Sequence, residues 1–141
     1  MEQSINVLDQ PLQTCSEQPM TGFYRNGRCD TGPGDGGSHT LAAEVNAEFL
    51  SFSASRGNDL RGILSPGCRW CLCVSRWKEA LDAYRQGQIG KQAVPSVIIP
   101  ATHKMALSKV TIQDLQEFSI DKRQGLRGGS IPDPSSGGPI R

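Results

Sequence analysis

Nine glycines and prolines fall between Pro11 and Gly37, and they constrain this chain more than any other feature. Proline removes a backbone donor and fixes φ, while glycine raises the entropy lost on ordering. Few regular elements fit between such breakers. Residues 1–38 are therefore expected to form an irregular arm packed on a folded domain. Val7, Leu8 and the aromatic pair Phe23 and Tyr24 are its expected anchors.

Regular structure is expected from His39 onward. Thr40 to Val45 reads as a strand, and Asn46 as the cap of a helix over about Ala47 to Arg56, stopped by Gly57. Cys68 to Val74 reads as a second strand. Ser75 is the expected cap of a helix to Gln86, with Trp77, Ala80, Leu81 and Tyr84 on one buried stripe. Val94 to Ile99 reads as a short strand interrupted by Pro95. Thr102 opens a helix through Leu107, and Thr111 with Asp114 forms a capping box for a last helix through Phe118.

These elements predict a compact single α+β domain over residues 1–121, with a small three- to four-stranded sheet and helices on one face. Residues 122–141 hold five Gly, three Pro and three Ser and no aromatic residue, so they read as a disordered tail. The 15 Lys and Arg against 14 Asp and Glu leave a charge of +1, too balanced for a nucleic-acid binder. No apolar run approaches the roughly 18–20 residues that span a membrane. The first ten residues lack the basic-then-apolar pattern of a secretory signal. The cysteine number is odd, at five, which argues against a full disulfide framework. A cytoplasmic location is the resulting expectation.

Chemistry is expected first at the cysteines. On a strand, Cys71 and Cys73 point to the same side, about 7 Å apart. Both can then ligand one metal, and zinc would draw its remaining ligands from Cys15, Cys29, His39 and His103. Cysteines on a core strand are more often small buried hydrophobes. Cys68 and Cys71 also have redox-motif spacing, but a strand lacks the helix N-terminus that activates such a thiol, although Arg69 can lower a neighbouring thiol's pKa. A pocket is expected where Asp30, Asp35, Ser38 and His39 cluster in and beside the Gly-rich stretch Thr31 to Thr40. Asn58 and Asp59 can orient a histidine or simply shape a turn, and Thr102-His103 stands at a strand-to-helix junction.

The same segments resemble the mostly bacterial family called domain of unknown function 2237. The matching pieces include Asn6-Val7-Leu8, Cys15-Ser16, Thr21 to Arg25, Cys29 with Thr31-Gly32, and Gly37-Ser38-His39-Thr40. They continue through Glu48-Phe49-Leu50, Gly57 to Leu60, Arg69 to Cys73, Arg76 to Ala80 and Ala101-Thr102-His103. The resemblance implies a small α+β domain and a shared set of Cys and His positions, and it implies no activity. It also implies departures. The family tends to have Cys where this chain has Ala42, Asp where it has Cys68, an acid where it has Pro100, and a longer connection in place of Arg61 to Cys68.

Three functions stay open at this point. One is a cytosolic binding domain with a Cys/His-lined site, taking zinc, a small molecule or a protein partner. The second is a small enzyme with His39 or His103 as base and a cysteine as nucleophile. The third is an adaptor whose cysteines are purely structural.

Overall fold

The structure, a computed structural model, describes residues 4–123. Its centre is β1 (Leu41–Glu44), flanked by β2 (Arg69–Leu72) and β3 (Ser96–Val97). Both pairings are antiparallel and the strand order is β2-β1-β3. The sequence predicts strands and helices in these places, and the α+β architecture is as expected. The last strand is much shorter than its apolar run, because Pro95 has no N–H to extend the ladder.

Leu41, Ala42 and Ala43 are all fully buried. Successive side chains on a strand point to opposite faces, so both faces of β1 must be covered. Leu41, Ala43 and the following Val45 join the main core. Ala42 joins a separate small cluster with Cys15, Cys29, Cys71 and Ala101. Helices cover the first face and the irregular arm helps to cover the second.

Helix α1 (Ala47–Ser55) begins where the Asn46 side chain accepts the Phe49 N–H at 2.7 Å. Helix α2 (Val74–Arg85) buries Trp77, Ala80 and Leu81 along one stripe. Trp77 donates its indole N–H to Pro95 O at 3.0 Å and meets Phe118 edge-on at 5.8 Å. Helix α3 (Ile112–Glu117) carries the Thr111–Asp114 capping box read from the sequence. Between β3 and α3 the chain makes two 3-10 turns, Ile99–Ala101 and Lys104–Ser108, in place of the expected α-helix.

Of the four arm anchors the sequence suggests, one holds and three do not. Val7 is buried, but Leu8, Phe23 and Tyr24 are exposed. A polar anchor the sequence did not suggest is Asn6, fully buried, whose amide donates to Pro100 O at 2.9 Å and accepts from the Leu8 and Gln10 N–H groups. A buried amide with its polar atoms paired fixes the chain more specifically than an apolar contact does. Lys122 and Arg123, expected to begin the disordered tail, are helical instead, and the Arg123 guanidinium donates to Val94 O at 2.8 Å. The rest of the expected tail, residues 124–141, lies outside the described residues.

Candidate functional site

Two sites share one residue, Cys71. The first is a sulfur node beneath the sheet. Cys29 and Cys71 form a disulfide, and the Cys15, Cys29 and Cys71 sulfurs all lie within 4.8 Å of one another. All three residues are buried. Cys15 keeps its proton: burial pushes its thiol up to about 12, against smaller opposing effects of Arg69 and the Ala43 backbone. Of the six residues expected to hold a metal, the structure gathers these three. The disulfide corrects the reading of Cys29 and Cys71 as free ligands.

Cys73 is a correction as well. The strand ends at Leu72, and Cys73 is the residue before α2 rather than a partner of Cys71 on one face. The N–H of Val74 donates to Ser38 O at 3.2 Å, and the strand ends two residues before the expected Val74. Cys73 and Cys68 are free and partly exposed. His39 and His103 lie outside the three-sulfur group.

The second site is a pocket of about 390 Å³ on the arm side of β2. Its walls include Phe23, Leu60, Ile63 and Trp70, with Arg25 and His39 as polar groups and Cys71 against it. His39 is held by Asp35, whose carboxylate side chain is fully inaccessible. One Asp35 oxygen lies 2.7 Å from His39 Nδ1. The other accepts the His39 backbone N–H at 2.9 Å and the Thr31 hydroxyl at 3.0 Å. Burial works against ionisation of Asp35, but these three partners together hold its carboxyl below the usual value. The ionised carboxylate can only accept, so His39 donates from Nδ1 and keeps Nε2 free.

Local backbone explains how His39 is aimed. Ser38 sits at φ 50°, in the left-handed region that non-glycine residues rarely adopt. The imidazole then lies over Gly37, where an added Cβ would come 2.5 Å from the ring's Cε1. Any side chain at 37 would displace the ring. Arg25, also at positive φ (55°), stacks its guanidinium 5.5 Å from the Trp70 centroid. It gives one N–H to Gly22 O at 2.6 Å. Its other donors find no acceptor among the described residues.

His103 belongs to neither site. Its Nδ1 accepts the Met105 N–H at 2.9 Å and so caps the 3-10 turn that follows. Its Nε2 is 3.6 Å from Asp30. Burial lowers its pKa and the Asp30 charge partly restores it, so His103 is held neutral. Asp30 accepts from the Ser4 hydroxyl at 2.6 Å and from the Thr31 N–H at 2.9 Å. Thr31 thus bonds both acids, with its backbone on Asp30 and its hydroxyl on Asp35.

The other expected site residues make structural bonds. Thr102 accepts the Ala42 N–H at 3.2 Å and donates to Ile98 O, stitching the Ile99–Ala101 turn to β1. Asn58 donates to Ser53 Oγ at 2.9 Å and closes the end of α1. Asp59 pairs with Arg61, which holds its carboxyl down to about 2. Arg69 pairs with Glu44 across the strands. Ser38 supplies a carbonyl and a turn, and no pocket-lining side chain. Sequence reasoning puts Asp35 and His39 in one polar cluster but misses their pairing, and it misses the wall formed by Phe23, Arg25 and Trp70. The four-residue spacing of Asp35 and His39 inside a glycine-rich loop was the available clue.

Among the described residues, no helix is long and apolar enough to cross a membrane. A search of curated proteins finds no match to the chain. Residues 5–119 match a family of uncharacterised proteins conserved in bacteria, and over that span the chain belongs to domain of unknown function 2237.

Proposed function

We propose that this protein is a cytoplasmic binding domain for a small aromatic monoanion, held in the pocket between Phe23 and Trp70. The observation that carries this reading is the buried Asp35 carboxylate. It spends both oxygens on fixing His39 and leaves Nε2 unpaired at an apolar cavity. A buried charge kept for orientation is costly, and such arrangements cluster where a ligand is bound or a proton is moved. Arg25 supplies the cation for a carboxylate, and the aromatic walls supply stacking area. The volume of about 390 Å³ suits one ring with a short substituent. The cytoplasmic placement rests on the three cysteines that stay free, and the Cys29–Cys71 disulfide counts against it.

An enzyme with a cysteine nucleophile is the weaker reading. The pocket's one cysteine, Cys71, is in a disulfide, and no serine, threonine or free thiol lines the cavity. The test is a two-dimensional NMR titration at pH 7 with 4-(trifluoromethyl)benzoate, and with the matching benzamide as neutral control. The benzoate is expected to shift the amides of Phe23, His39 and Trp70. Arg25→Gln is expected to weaken it at least tenfold, in line with about 1.5–3 kcal/mol for a hydrogen bond to a charged group. Equal binding of acid and amide, or no shift with either, would overturn the proposal.

A further inference from the structure

The sulfur node has a chemistry of its own, which does not rest on the ligand pocket. Its three sulfurs come from three segments: Cys15 and Cys29 from separate irregular stretches of the arm, and Cys71 from β2. Around them lie Ala42 and Ala101, with Ile98 packed alongside. These alanine and isoleucine side chains carry no donor atom that could complete a shell. Among the described residues, no histidine or carboxylate joins the group.

We infer that reduction of the Cys29–Cys71 disulfide converts this node into a three-thiolate site for a soft monovalent cation, Cu(I). A trigonal shell with metal–sulfur bonds of about 2.3 Å sets the sulfurs about 4 Å apart. All three sulfurs already lie within 4.8 Å of one another, so opening one bond suffices to reach that spacing. Structural zinc takes four protein ligands, and a three-ligand zinc site holds a water in the fourth position, for which the apolar neighbours of this node provide no hydrogen-bond partner. Soft thiolates in low coordination number select Cu(I).

The chemistry balances in two steps. A dithiol reductant transfers two electrons and two protons to the disulfide, giving the Cys29 and Cys71 thiols and the reductant's own disulfide. Cu(I) then takes three thiolates as Cys15, Cys29 and Cys71 release three protons. Cys71 borders the pocket, which gives a small reductant its approach. The covalent tie between arm and sheet is thereby exchanged for a coordinate one.

The test uses full-length protein with Cys68→Ser and Cys73→Ser, which removes the two partly exposed thiols. It is reduced with a phosphine without oxygen, or left oxidised, and titrated with Cu(I) against a bicinchoninate competitor. Native mass spectrometry reads the stoichiometry. Reduced protein is expected to take one Cu(I) per chain and oxidised protein none. Adding Cys15→Ser should weaken binding at least tenfold. Its oxidised form keeps the disulfide, and an unchanged melting temperature there shows that the fold survives. Binding by the oxidised form, no binding after reduction, affinity unchanged by Cys15→Ser, or tight uptake of Zn(II) in place of Cu(I) would each overturn the inference.

Discussion

Reduction of the Cys29–Cys71 bond should cost this fold much of its stability. The two residues are 42 apart in sequence. The chain-entropy relation for a loop of that length gives about 13 cal/mol/K, or about 4 kcal/mol at 25 °C. Unfolding a domain of this size releases about 0.25 kcal/mol/K, so the melting temperature should fall by about 15 °C. The loss concentrates on the arm, because the bond joins arm to β2 while the main core lies mostly on the other face of the sheet. The assay is urea unfolding followed by tryptophan fluorescence, with and without a phosphine reductant and with chelator present. The double variant Cys29→Ala/Cys71→Ala should match the reduced protein within about 1 kcal/mol. A change below about 1 kcal/mol on reduction would refute the reasoning. It would mean that the Asn6 bonds and the buried arm residues hold the arm as firmly without the bond.

Three further outcomes follow from the geometry. Trp77→Ala removes a fully buried indole and its bond to Pro95 O, and should cost about 3–5 kcal/mol in urea unfolding; a loss under 1 kcal/mol would show that Trp77 is not central to the core. His103 is held neutral in the fold below its ordinary pKa of 6.5, so the unfolded chain binds its proton first as pH falls. Stability should therefore drop as pH falls from about 6.5 towards the lowered folded pKa, and His103→Asn, which keeps a capping acceptor without the titration, should flatten that part of a pH series of melts. Iodoacetamide at pH 8 on the oxidised native protein should label Cys68 and Cys73 and spare Cys15, whose buried thiol is pushed up to about 12; peptide mass analysis showing Cys15 labelled at a similar rate would contradict its burial.

Local chemistry was legible in the sequence at several segment ends, although Ser75, expected to cap α2, lies inside that helix, and His103 rather than Thr102 caps the turn that follows. Asn46 caps α1, Thr111 and Asp114 close a capping box, and the Trp77 stripe faces the core, because each needs only neighbours within a turn or two. The arm's irregularity was legible from its breakers. Its anchorage was not. Asn6 looks like any polar loop residue until Pro100 stands beside it, 94 residues away. Cys73 was misplaced because the end of β2 is set by Ser38, whose carbonyl takes the Val74 N–H. Among several acids, the partner of His39 is Asp35 and that of His103 is Asp30, while Asp59 turns to Arg61. Turn geometry makes that choice, and a single sequence does not display it.

The two sites are joined by the way β1 is built. In the antiparallel register Ala42 stands opposite Cys71, and directly opposed residues share a face. A methyl group there, with Ala101 beside it, leaves room for three sulfurs to meet under the sheet. The position where the resemblance implies a family cysteine is thus the position that faces Cys71. In this chain the sulfur set stops at three. The pocket is assembled across the same seam: Phe23, Arg25 and His39 precede β1, while Trp70 and Cys71 belong to β2. Anything that binds in the pocket therefore holds the arm to the sheet, as the disulfide does. Two interactions that favour one docked state must favour each other by equal free energies. Breaking the Cys29–Cys71 bond should weaken a pocket ligand by the same factor by which that ligand favours keeping the bond.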